Sequence, residues 1–234
     1  SCYGLEDILL RNILRCFGYD YKVTDSYDYE RPDEPEDSDE MDVAWDTNLP
    51  WEIYCNEKDT NDVIVDVLVD KSDISRIGHT SYGGSDNMTK IIADGDTCLL
   101  EAILLRNILK CFGEQYQIIE ELDVPKDFDE ADPWDTDLEF ETNLPWDIYM
   151  EDCNLNEGTR KVELEKEDMQ SIGCQSYGDW VLCNEKTAAI EQILLSSILK
   201  CFGEGHCIEE IETYTPEESP NEMACVKFYI SLEY

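Results

Sequence analysis

Leu99–Gly113 reads LLEAILLRNILKCFG, and the chain writes this stretch three times. Gly4–Gly18 is GLEDILLRNILRCFG, and Ala189–Gly203 is AIEQILLSSILKCFG. In the middle copy Leu100, Ile103, Leu104, Ile108, Cys111 and Phe112 recur at steps of three and four. That is the spacing of an apolar stripe on an α-helix. Leu105 and Leu109 widen the stripe, so the helix is expected to be covered on more than one side. Glu101 falls in the first turn and Lys110 in the last, each matching the sign of the helix dipole there. Thr97 is placed to cap the start and Gly113 to close the end in a left-handed conformation. Thr187 and Gly203 repeat this in the third copy, and Gly18 in the first. About six large apolar side chains, each worth roughly 1.5–3 kcal/mol on burial, need a sheet or a second helix to cover them.

The repetition extends beyond the helix. Cys16-Phe17-Gly18 returns as Cys111-Phe112-Gly113, and Asn48-Leu49-Pro50-Trp51 as Asn143-Leu144-Pro145-Trp146. Ser81-Tyr82-Gly83 returns as Ser176-Tyr177-Gly178, also 95 residues on. The third helix follows the second by 90. A shared offset reads as duplicated modules, and so long a period means tandem small domains rather than a solenoid of roughly 20–50-residue units. The expected fold is α+β: a tandem repeat of small modules, each an antiparallel sheet packed on one amphipathic helix, in an elongated array. Residues 1–98 form module one without its feeding strand, 99–189 module two, and 190–234 a shortened module three.

Within a module the spacing predicts strand, helix, strand, long loop, strand. Tyr19–Glu30, Gln115–Leu122 and His206–Tyr214 read as the strands after the three helices. Val63–Lys71 and Lys161–Asp168 are the clearest strands by alternation, and Ser81-Tyr82-Gly83-Gly84 reads as a turn. Lys90–Ala93 and Trp180–Asn184 feed the next helix, and Val226–Tyr234 closes the chain as a strand. Thr47 or Asn48 is expected to cap a short helix opened by Pro50, which docks Trp51, Ile53 and Tyr54 on the module.

Charge bounds the function. The 234 residues hold 56 acids against 17 bases, a formal net charge of −39, spread along the whole length. Such a chain repels nucleic acid and anionic membranes, and attracts basic protein surfaces and cations. Solubility alone and adaptation to high salt are the plainer explanations. No run of 18 apolar residues offers a membrane span. A first residue that is not Met is expected of a chain processed, tagged or cut from something longer. Eleven cysteines suggest a disulfide framework, but only Cys16, Cys111 and Cys201 recur between copies, on the stripe itself. At the 95 offset Cys55 is matched by Met150 and Cys183 by Met88, as small buried hydrophobes would be. The expectation is an intracellular protein, cytoplasmic or nuclear, with its cysteines mostly reduced.

No catalytic constellation appears. There is no Cys-x-x-Cys, and His79 and His206 are the only histidines, so no metal site of ordinary spacing and no cofactor is expected. Asp33–Asp42 lacks the ordered ligand spacing and the turn glycine of a calcium loop, which leaves weak, non-specific divalent binding. Phosphate-loop and nucleophile-elbow motifs are absent. His206-Cys207 would point to opposite faces of a strand and so make no dyad.

The function expected is that of a non-enzymatic binding protein occupying a basic, nucleic-acid-binding surface of a partner protein, with no direct contact to nucleic acid or membrane. Duplex DNA carries about one charge per 1.7 Å, so the net charge equals roughly 66 Å of duplex, near twenty base pairs. By size and charge the chain resembles the DNA-mimic inhibitors used by phages and other mobile elements, a likeness of class without a shared motif. An immunity protein against a basic toxin makes the same physical argument. The expected contact residues are Asp33, Glu34, Glu36, Asp37, Asp39 and Glu40, then Asp127, Asp129, Glu130, Asp132 and Asp135, with Trp51 and Trp146 beside them. The alternative is a structural or cation-binding repeat protein, a fragment of a longer array.

Overall fold

The computed structural model describes residues 3–29, 42–57, 66–78, 80–125, 136–152, 159–172, 175–177, 180–184, 186–214 and 225–231. Its first helix, α1 (Tyr3–Phe17), buries Leu5, Ile8 and Leu9 on one face and Leu14 on the opposite one. Antiparallel strands β1 (Val23–Tyr29) and β2 (Asp42–Thr47) follow, then the short α2 (Trp51–Glu57). These elements form most of a unit spanning Glu6–Val67, and Ser1–Leu5 with Leu68–Tyr234 form a second unit.

The second unit begins with β3 (Leu68–Val69) and a 3-10 helix, Lys71–Arg76. The hairpin β4 (Thr80–Gly83) and β5 (Met88–Ala93) leads into α3 (Cys98–Phe112). Then come β6 (Ile118–Pro125), β7 (Thr136–Pro145) and α4 (Trp146–Asp152). The pattern returns with β8 (Arg160–Lys161), α5 (Asp168–Ser171), the strands β9 (Gln175–Tyr177) and β10 (Trp180–Asn184), and α6 (Ala188–Phe202). Strands β11 (Cys207–Tyr214) and β12 (Cys225–Ser231) complete the described chain. The protein is thus mixed α and β, with several small antiparallel sheets. Two have four strands, in the orders β4-β5-β7-β6 and β9-β10-β12-β11. Among the described residues no helix is long and apolar enough to cross a membrane.

The cores follow the two periodicities. Helix α3 buries Leu100, Ile103, Leu104, Leu105, Ile108 and Leu109, and β5 buries Thr89, Ile91 and Ala93 at alternate positions. Phe140 of β7 sits opposite Ile91 and is fully buried. Around α6 the same layering joins Ile190, Leu194, Leu195, Ile198 and Leu199 to Val181, Cys183, Phe228 and Ile230. Cys183 stands four residues before the N-cap, where the middle helix has Ala93, so its structural counterpart is Ala93 rather than Met88.

Several local expectations are corrected. Of the described residues in 63–71 and 161–168, only Leu68, Val69 and Lys161 are strand, in the pairing of Leu68–Val69 with Arg160–Lys161. The alternation reports burial of Val67 and Val69, while residues beyond become the 3-10 helix. Further on, the Glu163 backbone bonds the Asn107 side chain of α3, its N–H donating to Oδ1 at 2.7 Å. Ser81–Gly83 lies in β4, and the turn follows it at residues 84–87. Asn48 does not cap a helix. Its Oδ1 accepts from Lys22 N–H at 2.7 Å and its Nδ2 donates to Asp20 O at 2.9 Å. Asn143 makes the matching pair with Gln117 and Gln115 at 2.7 and 2.8 Å. Thr97 and Thr187 occupy N-cap positions without a side-chain cap bond, and Thr187 instead donates to Glu191. Gly18, Gly113 and Gly203 have φ of 155°, 159° and 157°, and Gly113 and Gly203 have ψ near 150°, a glycine-favoured extended geometry rather than a left-handed turn. Cys16 and Cys201 are exposed and Cys111 half-buried, at the margin of the stripe, where each thiol donates to the carbonyl four residues earlier.

Candidate functional site

Among the described residues, exposed acids gather on the strand after each long helix. β1, β6 and β11 each pair with one neighbour and lie at a sheet edge. Each carries a bulge at the same place, at Thr24, Ile119 and Glu209, two residues there facing one on the partner. A bulge and charged side chains are the usual means by which an edge avoids pairing with another sheet. Asp25 and Asp28 on β1, Glu120, Glu121 and Asp123 on β6, and Glu209, Glu210 and Glu212 on β11 are all exposed. Ile119 and Ile211 stand beside them, each about half exposed.

Four of the described cations, Lys90, Arg106, Lys110 and Arg160, are engaged elsewhere. Lys90 of β5 pairs with Glu139 and Glu141 of β7, and the Tyr82 hydroxyl donates to Glu139. The bond to Glu141 holds the Lys90 ammonium above its ordinary range, and burial followed by the Glu139 bond pushes the Tyr82 phenol up to about 12. Arg106 grips Asp168 with two bonds, Nη1 to Oδ1 at 3.2 Å and Nη2 to Oδ2 at 2.7 Å. Lys110 and Arg160 both reach Glu163, whose carboxyl is held below its ordinary range chiefly by the Lys110 bond. Among the described residues no Lys or Arg forms an ion pair with the exposed acids of β6 and β11, and the edges keep their charge.

Of the expected contact residues, the structure places two. Trp51 opens α2, 72% exposed, its ring 5.3 Å from Tyr54. Trp146 opens α4, half-buried, 5.0 Å from Tyr149 and seated on Gly83, where a Cβ would stand 2.7 Å from the indole. The expectation that Trp51 docks on the module is corrected: Trp51 faces solvent, and it is its repeat Trp146 that is seated. Asp33, Glu34, Glu36, Asp37, Asp39 and Glu40 lie outside the described residues, as do Asp127, Asp129, Glu130, Asp132 and Asp135. Among the described residues no three His, Cys, Asp or Glu side chains gather as an ion would require.

Sequence reading missed four groups. The acids of β6 and β11 are sparser in sequence than the charge runs at 33–40 and 127–135, so composition does not single them out as contact residues. Asn107 and Arg106 bind the segment 163–168 to α3, and the signal was an Asn four residues after Ile103, inside the apolar stripe. The clamps at Asn48 and Asn143 were readable only as a repeated Asn. Glu101 was assigned to the dipole but is 3% exposed, and burial pushes its carboxyl up to about 7. No known family, curated protein or solved structure matches this chain.

Proposed function

We propose that the protein is a non-enzymatic binding protein whose tandem α/β units hold acidic edge strands against a basic, nucleic-acid-binding surface of a partner protein. The observation that carries this reading is the spacing of exposed acids on β6 and β11 that make no ion pair among the described residues. Glu120, Glu121 and Asp123, and likewise Glu209, Glu210 and Glu212, put three carboxylates within four consecutive residues of an edge. A strand advances about 3.4 Å per residue. One strand of a duplex carries one phosphate per about 3.4 Å. Side chains alternate between the faces of a strand, so Glu121 and Asp123, and likewise Glu210 and Glu212, share a face at about twice that step, one carboxylate for every second phosphate. The acids at 33–40 and 127–135, outside the described residues, add to the net negative charge, and the cysteines remain thiols in a reducing compartment. Activity by occupation needs no catalytic group.

The test is titration of the fluorescently labelled full chain with core histones as a basic, DNA-binding probe. Affinity should fall about a hundredfold or more between ~50 and ~500 mM NaCl, and duplex DNA should displace the chain competitively. Reversal of Glu120, Glu121, Glu210 and Glu212 to Lys should lower both the affinity and its salt slope. Affinity that is flat with salt, or unmoved by the reversals, overturns the proposal.

A further inference from the structure

In the unit Glu6–Val67 a groove of about 230 Å³ runs beside α1, the end of β2 and α2. Leu10, Ile13, Phe17, Leu49, Trp51 and Tyr54 line it. Each has an identical residue 95 positions later: Leu105, Ile108, Phe112, Leu144, Trp146 and Tyr149. The surface built by those later residues is closed. Leu105, Ile108 and Leu144 are fully buried and Tyr149 is 5% exposed. The hairpin β4–β5 lies across that end of the unit. β5 pairs antiparallel with β7, the Thr142 hydroxyl donates to Thr89 O at 2.9 Å, and Trp146 N–H donates to Asn87 O at 2.7 Å. Gly83 supplies the bare backbone on which the Trp146 ring rests.

At the first site Leu10, Ile13 and Leu49 are only half-buried, Tyr54 is 39% exposed and Trp51 72%. Among the described residues β2 pairs with β1 alone. A row of apolar side chains matched residue for residue to a closed core, beside a strand edge with backbone donors and acceptors, is a seat for an added strand.

We propose that the groove and the outer edge of β2 bind a β-hairpin of another polypeptide, one with the chemistry of β4–β5. Its inner strand carries small or β-branched residues at alternate positions, as Thr89, Ile91 and Ala93 do, and its outer strand ends in a glycine that receives the Trp51 ring. Charge complementarity fixes the opposite face. Lys90 of β5 meets Glu141 of β7, and the residue of β2 in the place of Glu141 is Asp46, exposed to solvent. A cation in the place of Lys90 therefore belongs on the bound strand. The seat is apolar and hydrogen-bonding, so it stands independently of the charge-based reading given above.

The experiment titrates the full chain with a cyclised peptide of residues 80–94, TSYGGSDNMTKIIAD, cyclised so that hairpin formation costs little. Saturable binding should shift the Trp51 emission to the blue, judged against Trp51→Phe, and should slow amide exchange across 42–47. The peptide carrying Ile91→Asp should bind roughly tenfold more weakly or worse. Trp51→Ala in the protein, at a position 72% exposed, should weaken binding of the unaltered peptide. Absence of saturation up to about 1 mM peptide overturns the proposal. So does equal binding of the Ile91→Asp peptide, or finding the β2 edge amides protected and Trp51 shielded from acrylamide before any peptide is added.

Discussion

A single carboxyl in α3 couples burial to pH. Glu101 is 3% exposed, and its Oε2 has no hydrogen-bond partner among the described residues. Burial is the main reason its carboxyl is raised from 4.5 to about 7, the nearby Asp94 adds to the shift, and the Gly78 backbone opposes it. Below about pH 4.5 the folded and unfolded chains both hold the proton. Between that pH and about 7 the unfolded chain releases it first, so stability falls as pH rises, and the whole loss is in place above 7. The loss amounts to about 3 kcal/mol. Glu101→Gln should therefore leave stability at pH 4 nearly unchanged and raise it at pH 8 by about 2–3 kcal/mol in urea unfolding. An unchanged pH slope would show that the carboxyl is already ionised in the native protein. Arg106 acts in the opposite sense, by keeping a charge paired. Asp168 is 5% exposed and takes both guanidinium nitrogens. Because Arg106 is about one-third exposed, Arg106→Ala should cost about 2 kcal/mol rather than the 3–5 of a fully buried pair. Asp168→Asn in the same background should recover part of that loss, which the double-mutant cycle measures.

At the scale of elements, the helices were legible because a 3.6-residue period is a local property of the chain. The bounds of α1, α3 and α6 fall within one or two residues of the repeated stretches. The strands feeding and following them were legible for the same reason, up to a few residues at their ends. What could not be read was the partner of each extended segment. Val67 and Val69 alternate as strand residues do, yet the Val69 carbonyl meets the Cys111 thiol of α3, and Glu163 meets Asn107. Alternation specifies which side is buried and leaves the other side's hydrogen bonds to residues distant in sequence. The Asn clamps make the same point, since nothing local distinguishes a capping Asn from one bonded 26 and 28 positions away. The acidic edges were visible as composition but not as edges, which are a property of sheet order. Asn143→Ala removes two bonds that fix where β6 starts, and should cost about 1–2 kcal/mol. Amide exchange at Gln117 should quicken selectively. Asn48→Ala, at a more exposed copy of the same clamp, should cost less.

For the molecule as a whole, charge sets stability and binding against each other. A formal −39 over 234 residues stores self-repulsion that folding concentrates. Exposed ion pairs such as Lys110–Glu163 and Arg160–Glu114 pull the other way, but each is worth only about 0–1 kcal/mol. Salt screens both, with a Debye length of about 10 Å at 0.1 M. The repulsive terms far outnumber the attractive ones, so screening should stabilise the fold. The melting temperature should rise by several degrees from ~10 to ~500 mM NaCl, with most of the gain below ~200 mM, where the screening length shortens most. Potassium chloride at the same ionic strength should give the same curve, whereas stabilisation by a specific cation would not. Over this same range the affinity for a basic partner should fall. Opposite responses to one variable are what a chain with excess surface charge must show. A melting temperature that fell with salt would mean that the exposed acids are neutralised within the protein and unavailable to a partner.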